Sequence, residues 1–313
     1  MTAGWRPDSA IELVAGTPAG GGQDRPARAL IRILEARNLI GQPIKLTNIP
    51  GRGGGNGWDY LRTQTGNPHV LAINSPTVIT NRQLGVADYD HTALTPLANL
   101  YTEYIAFVVR ADSSIRDGAD FMNRLAQDTA GCRIALATAL GNINHMALAQ
   151  VTARAGGDIK ALQINVFDSA LYAVADVIEQ RAEVAAITAV SAAKAIASGE
   201  VRTFAVSAPQ RLPRLYANVP TWTELGVNCV IGTWRGVIGA AGISPEQVAF
   251  WNRALRAATA TEEWNAELAD KYWANTWLGG AELDAFLDQE RNVMGALLGN
   301  LGLIPSQVRS FPR

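Results

Sequence analysis

The chain has 313 residues, of which 48% are hydrophobic and 18% are charged. This length and composition allow two packed lobes with a sizeable core and exclude a disordered protein. The formal net charge of −1 excludes bulk attraction to nucleic acid or to an anionic membrane surface, so a charged ligand must be recognised at a local site.

The first third of the chain alternates short strands with glycine-rich turns. Ile11 to Ala15 is an apolar run that predicts a strand, and apolar residues at helical spacing after Pro26 predict a helix. Glycine clusters occupy Pro18 to Gly22 and Gly51 to Gly57. Four further strands are predicted, over Pro43 to Ile49, Val70 to Ile73, Leu94 to Leu100 and Tyr104 to Arg110.

The middle third alternates regularly. Predicted strands cover Arg133 to Ala137, Lys160 to Ile164, Val184 to Thr188 and Val201 to Val206. Predicted helices cover His145 to Ala155, Ala170 to Glu179 and Ala192 to Ala197. Short strands separated by such helices are typical of a mostly parallel sheet with helices on both faces, so an α/β fold is expected.

The last third is mainly helical. Ser244 to Gln247 reads S-P-E-Q, a helix start with an N-cap serine and an N1 proline. Helices are also predicted over Glu262 to Tyr272 and Glu282 to Leu298. Tryptophan side chains in this region are expected to pack the helices onto the sheet, namely Trp251, Trp264, Trp273 and Trp277.

Neither a membrane segment nor a redox motif is visible. No apolar run reaches the roughly 18 residues that span a bilayer, so no direct membrane insertion is expected. Met1 to Pro7 lacks the segments of a signal peptide. Cys132 and Cys229 are the only cysteines; a single disulfide between them is possible, but their spacing does not predict it.

The common enzyme signatures do not occur. The sequence contains no P-loop, no GxSxG elbow and no HExxH, and the Pro18 turn departs from GxGxxG. The three histidines His69, His91 and His145 are scattered without neighbouring ligands or nucleophiles. We therefore expect no catalytic residues, no metal site, no cofactor and no enzyme activity.

The turn from Pro18 to Asp24 is suited to binding an anion. A glycine-rich turn between a strand and a helix exposes several N–H groups, and the helix dipole adds partial positive charge. Asp24 is expected to be the N-cap of the helix. A purely structural role of this turn is the alternative.

Three segments together carry a family resemblance. Pro18 to Arg28 reads P-A-G-G-G-Q-D-R-P-A-R, Asn48 to Gly57 reads N-I-P-G-R-G-G-G-N-G, and Asn218 to Gly226 reads N-V-P-T-W-T-E-L-G. In this order they resemble the signatures of the Bug family, the extracytoplasmic receptors of tripartite tricarboxylate transporters. Arg52 stands where that family usually has Ala, and Asn218 where Asp is common.

The resemblance implies a two-lobed type II periplasmic-binding-protein fold with the ligand in the cleft between the lobes. Residues 1–101 with 230–313 would form lobe 1, and residues 102–229 would form lobe 2. Hinge motion is expected at crossovers near Asn99 to Glu103 and Cys229 to Thr233. The resemblance also implies a periplasmic location, with any signal peptide outside this sequence, and a membrane permease as partner.

The resemblance places the ligand's carboxylate at the first glycine turn and the rest of the ligand against lobe 2. Phe167 to Ala170 stands where the family has Y-K-G-S-A, so Asp168 replaces a cation that would hold a second carboxylate. The expected ligand-binding residues are Pro18, Ala19, Gly20, Gly21, Gly22, Asp24, Ser75, Thr77, Asn142, Asn144, His145, Phe167, Asp168, Ser169 and Thr188.

Structural roles remain open for several of these residues. Asn142 and Ser169 could be helix caps, Asp168 a solvated loop charge, and His145 a structural histidine. Arg28 and Arg52 are possible counter-charges for a ligand.

The expected function is capture of a small organic acid and its delivery to a transporter. A dicarboxylate or an aromatic acid is favoured, the latter because of Phe167 and Trp234. The alternatives are a sensor module that binds a similar acid and acts on a signalling partner, and an enzyme on a related scaffold, which would need a nucleophile–base pair or a metal cluster.

Overall fold

The computed structural model describes residues 4–305, and Met1 to Ala3 and residues 306–313 lie outside it. Between residues 4 and 110, the structure has four strands and three α-helices: β1 (Ile11–Ala15), α1 (Asp24–Ala36), β2 (Ile44–Asn48), α2 (Gly55–Arg62), β3 (Val70–Asn74), α3 (Thr77–Gln83) and β4 (Thr95–Arg110). The predicted break between two strands near residue 102 is wrong. β4 continues because Thr102 and Glu103 keep extended backbone and pair with Trp234 and Thr233.

The middle of the chain forms a second series: α4 (Gly118–Gln127), β5 (Arg133–Ala137), α5 (Ile143–Arg154), β6 (Gln163–Phe167), α6 (Ala170–Ile178), β7 (Val184–Thr188), α7 (Ala189–Ala197) and β8 (Val201–Val206). Only the strand predicted at Lys160 is displaced. Asp158 accepts hydrogen bonds from the N–H groups of Lys160 and Ala161, and this turn delays the strand to Gln163.

The remaining elements are β9 (Gly232–Gly239), α8 (Pro245–Thr259), α9 (Glu262–Lys271), β10 (Trp273–Gly279) and α10 (Ala281–Asn300). The helix start predicted at Ser244 is confirmed and forms a capping box, because Ser244 Oγ and Gln247 Oε1 each accept a hydrogen bond from the other residue's N–H. β9 and β10 were not predicted from the sequence.

The strands form one continuous sheet system in the order β2-β1-β3-β9-β4-β7-β5-β6, with β10 and β8 also paired to β4. The parallel pairs lie within β1–β3 and within β5–β7, whereas every pairing of β4 or β9 is antiparallel. Residues of β4 up to Tyr104 pair with β9 and β10, and those from Ile105 pair with β7 and β8. β4 thus joins two mixed α/β sheets, and the predicted two-lobed α/β class is confirmed.

The tryptophans of the C-terminal region pack as predicted. Trp251, Trp264 and Trp273 lie in a core cluster with residues of β1, β3 and β4, and Trp277 packs against its edge. Trp273 stacks on Tyr101 with ring centroids 4.0 Å apart. These contacts fix the C-terminal helices and β10 onto the sheet that carries the first glycine turn.

Candidate functional site

A recess lies at the carboxyl ends of β1, β3, β5, β6 and β7. It has a volume of about 790 Å³ and receives residues from both sheets. Loops at the carboxyl ends of parallel strands converge at one edge of a sheet, which is where α/β folds place their ligands. Twelve of the fifteen predicted ligand-binding residues line this cavity: Pro18, Ala19, Gly20, Gly21, Gly22, Ser75, Thr77, Asn142, Asn144, Asp168, Ser169 and Thr188.

The first glycine turn offers unpaired backbone donors to the cavity. Gly20 N–H donates to Asp24 Oδ2 and Gly21 N–H donates to the Pro18 carbonyl. Within residues 4–305, no partner is recorded for the N–H groups of Thr17, Ala19 and Gly22. All three residues line the cavity, so this turn can bind an anionic oxygen through backbone N–H groups.

Asp24 supports the turn from behind instead of lining the cavity. Its carboxylate is fully buried and accepts hydrogen bonds from Gly20 N–H (2.8 Å), Arg28 Nε (2.7 Å) and Asn48 Nδ2 (2.9 Å). Burial alone would raise the pKa of Asp24, but these hydrogen bonds together hold the pKa below its usual value. The predicted N-cap role is wrong, since Gln23 is the N-cap and Asp24 is the first residue of α1.

A second glycine-rich segment, 51–57, is fastened to the first. Gln23 Oε1 accepts a hydrogen bond from Gly16 N–H at 2.8 Å, while Gln23 Nε2 donates to the Gly53 carbonyl at 3.4 Å. Thr77 Oγ1 donates to the same carbonyl and lies 2.6 Å from Ser75 Oγ. Thr77 therefore ties the turn after β3 to the second glycine segment, and Gln23 links that segment to the first.

On the opposite wall, Asn142 and Asn144 both donate to the Ala137 carbonyl at 2.6 Å, at the end of β5. Asn142 is also the N-cap of α5, and Ser169 is the N-cap of α6, so the capping role left open for each residue is present. Each cap residue still faces the cavity. Asp168 is exposed, and the hydroxyls of Thr188 and Ser191 are 2.9 Å apart.

His145 lies behind this wall and is not among the residues that line the cavity. Its Nδ1 accepts a hydrogen bond from Gly141 N–H at 2.9 Å, and only 5% of the residue is exposed. Burial lowers the pKa of His145 to about 4. The side chain is therefore neutral at physiological pH and holds the turn before α5.

The preference for an aromatic ligand was inferred from Phe167 and Trp234, and neither side chain lines the cavity. Phe167 packs against the apolar cluster around α6 and β7. Trp234 is 2% exposed, packs edge-on against Phe286 and donates from Nε1 to Glu290 Oε2 at 2.9 Å. Among residues 4–305, no aromatic residue lines the cavity, so the aromatic preference loses its structural basis.

Four charged side chains of the cavity were not predicted: Arg25, Glu103, Lys194 and Arg235. Arg25 Nε donates to the Gly20 carbonyl at 2.8 Å and Arg235 Nε to the Gly22 carbonyl at 3.2 Å. Of these four residues, Glu103 could have been predicted from the sequence, because it is a charged residue within an apolar run. The counter-charges considered earlier lie elsewhere, since Arg28 pairs with Asp24 and Arg52 pairs with Asp59.

The structure shows no group of three or more His, Cys, Asp or Glu side chains that could hold a metal ion between residues 4 and 305. Cys132 and Cys229 are both buried free thiols. In the same range, no helix is long and apolar enough to cross a membrane.

A two-sheet α/β fold with a cavity at the strand ends, lined from both sheets, is typical of two-lobed solute-binding receptors. The family described as tripartite tricarboxylate transporter family receptor matches residues 29–303. The chain belongs to this family, and the resemblance found in the three sequence segments is confirmed.

Known proteins resemble this chain in sequence or in fold. A UPF0065 protein from the tcbD-tcbE intergenic region of Pseudomonas sp. (strain P51) is 27% identical over 82% of this chain and 76% of its own length. A TctC solute-binding protein from Polaromonas has 25% identity and a TM-score of 0.78, covering 94% of this chain and 99% of that one. An R. palustris protein solved with adipate has 20% identity and a TM-score of 0.78, covering 95% and 98%.

Proposed function

We propose that this protein is a periplasmic receptor that captures a small aliphatic carboxylate and delivers it to the permease of a tripartite tricarboxylate transporter, without chemical conversion. The main support is the glycine turn, where Thr17, Ala19 and Gly22 line the cavity and their N–H groups have no hydrogen-bond partner within residues 4–305. Arg25 and Arg235 add positive charge beside it. Charge-assisted hydrogen bonds from such donors favour a carboxylate oxygen.

A second carboxylate is favoured by Lys194 on the other wall. Its side chain lines the cavity, and no ion-pair partner is recorded for it among residues 4–305. Asp168 stands where the family commonly has a lysine, so this loop lacks that cation. Lys194 in α7 supplies a comparable positive charge nearby. The bound adipate in the R. palustris protein of the same fold is consistent with a ligand that carries two carboxylates.

The remaining predicted contacts belong to the same proposal. Ser75 and Thr77 would contact the ligand from the sheet of the glycine turn, and Asn142, Asn144, Ser169 and Thr188 from the opposite wall. Asp24, His145 and Phe167 would act indirectly, by supporting the loops that line the cavity.

Ligand binding would close the two lobes about the strands that cross between them. We propose lobe boundaries near residues 101 and 230. The first boundary is supported by β4, which changes its pairing partners between Tyr104 and Ile105. The second is supported by the Ile231 N–H, which donates to the Ser207 carbonyl just before β9 begins. Closure at such crossovers would enclose the ligand between the two walls.

The test is calorimetric titration with adipate, hexanoate and the uncharged adipamide. We expect binding of the acids but not of the diamide, and at least tenfold weaker binding of the acids by Arg235→Met, because one charged hydrogen bond contributes roughly 1.5–3 kcal/mol. Arg52→Met is the matched control, since Arg52 lies outside this cavity. Equal binding of acid and diamide would refute the carboxylate proposal.

Delivery needs its own measurement. Uptake of the bound acid into vesicles that contain the cognate permease should depend on added receptor. Uptake at the same rate without receptor would contradict the transport role while leaving the binding role intact.

A further inference from the structure

Glu103 is an unusual feature of a cavity built for anions. It lies on β4 immediately before the residue at which this strand changes sheets, and it lines the cavity while being only 7% exposed. Among residues 4–305, the Glu103 side chain takes part in one hydrogen bond, a long one of 3.4 Å that the Tyr101 hydroxyl donates to Oε1. Within residues 4–305, no partner is recorded for Oε2, so one oxygen of a nearly buried carboxylate remains available to a ligand.

The nearest cations do not neutralise Glu103 by direct pairing. On the paired strands, Glu103 stands opposite Thr233 and Tyr101 stands opposite Arg235, so Glu103 and Arg235 occupy diagonal positions on one face. No ion pair within 4.0 Å joins Glu103 to Arg235 or Arg25 in the part of the chain described. Both arginines donate instead to carbonyl groups of the glycine turn. The wall therefore places a carboxyl group and a guanidinium group side by side. Burial raises the pKa of Glu103, and the charges of Arg235 and Arg25 oppose this effect.

This arrangement is unfavourable for a plain carboxylate. A ligand held at the Pro18–Gly22 turn brings its negative charge near Glu103, and like charges repel strongly where water is excluded. A purely structural glutamate in this position would be expected to form a short ion pair with the adjacent arginine, because buried charges are rarely left unpaired. A ligand that carries a positive group beside its carboxylate removes the conflict.

We propose that Glu103 is a specificity-determining residue that binds an ammonium group adjacent to the ligand's carboxylate, so that the preferred ligand is an amino acid. The inference rests on the proposed function, since the turn and Arg235 must hold the carboxylate. Glu103 then accepts a charge-assisted hydrogen bond from the ammonium group, and Arg235 and Glu103 together match a zwitterion.

The test compares ligands that differ only at the carbon next to the carboxylate. Calorimetric affinities are measured for L-2-aminoadipate against adipate, and for L-norleucine against L-2-hydroxyhexanoate and hexanoate. The wild-type protein should bind each amino acid at least about tenfold more tightly than its partners, the size of effect expected for a hydrogen bond between charged groups.

Two variants separate the role of Glu103 from the net charge of the cavity. Glu103→Gln keeps the shape and should reduce the preference for the amino acids to within about twofold, with the affinity for adipate and hexanoate unchanged or higher. Asp168→Asn removes a negative charge from the same cavity on the opposite wall and should keep the preference. Thermal unfolding of both variants checks that they are folded.

The outcomes are distinct. Binding of plain or hydroxy acids as tight as that of the amino acids, or an unchanged preference in folded Glu103→Gln, overturns the role of Glu103 and leaves the carboxylate receptor standing. If Asp168→Asn also loses the preference for amino acids, that preference depends on the net charge of the cavity, and the proposed role of Glu103 is overturned. Failure of every acid to bind would refute the proposed function and this inference with it.

Discussion

Gly16 and Gly54 bring the two glycine-rich segments into backbone contact. A Cβ atom built on Gly16 would lie 2.4 Å from Gly54 Cα and 2.9 Å from Gln23 Oε1. The backbone of Gly54 adopts a φ of 112°, in the region that favours glycine. The two motifs of the sequence are thus parts of one packed unit, and the first turn is placed against the cavity by the second.

Replacing Gly16 with Ala should destabilise the protein by about 1–3 kcal/mol, because a methyl group cannot be fitted against backbone atoms without moving them. Chemical denaturation measures the change. Gly299→Ala is the control: it lies in α10 with only an ordinary contact at 3.8 Å, and alanine favours a helix. A Gly16→Ala protein as stable as wild type would contradict the close packing of the two segments.

Asp24→Asn should lower the free energy of unfolding by about 1–3 kcal/mol, since three donors lose a charged acceptor inside the protein. Folding lowers the pKa of Asp24, so the folded protein holds this carboxylate in its charged form more strongly than the unfolded chain does. The resulting stabilisation is fully present above the usual aspartate pKa and is lost as the pH falls through the lowered value. Urea denaturation at pH 7 and pH 3 should therefore show a smaller difference between variant and wild type at acid pH. Asp112→Asn, at an exposed pair with Arg110, should change stability little at pH 7.

His145 should make the protein less stable as pH falls from about 6.5 to about 4. In this window the unfolded chain binds a proton that the folded chain excludes, because burial lowers the folded pKa of His145 to about 4. The free energy of unfolding should drop by at most ~1.4 kcal/mol for each pH unit.

His145→Asn keeps an acceptor for Gly141 N–H and should flatten this pH dependence. A residual slope is expected from His91, whose pKa is also lowered by burial. Denaturant titrations from pH 4 to pH 7 measure both effects. His69→Asn is the matched control, and an identical slope in wild type and His145→Asn would contradict the neutral, buried histidine.

Cys132 and Cys229 should resist alkylation in the native protein. Burial raises the pKa of each thiol to about 12, so almost no thiolate forms at neutral pH. A thiol assay should detect none before unfolding and both after unfolding in denaturant without reductant. Detection of no thiol after unfolding would reveal a disulfide instead.

Strands and helices could be predicted from the sequence where a single hydrophobic pattern was clear. The strands Ile11–Ala15, Arg133–Ala137, Val184–Thr188 and Val201–Val206 were predicted with their observed bounds, because apolar runs are bounded there by turn residues. The glycine turn and the cap residues Asn142 and Ser169 were also recognised. Their chemistry depends on a few consecutive residues, which a single sequence displays directly.

Tertiary structure alone decided which charges face the cavity. Arg25, Glu103, Lys194 and Arg235 come from α1, β4, α7 and β9, and no local spacing relates them. Conversely, Asp24 and His145 lie in recognisable motifs but point away from the cavity, since the orientation of a side chain depends on the packing behind its own loop. The sequence thus specified the glycine turn, whereas the pairing of β4 with β9 created the charge pattern next to it.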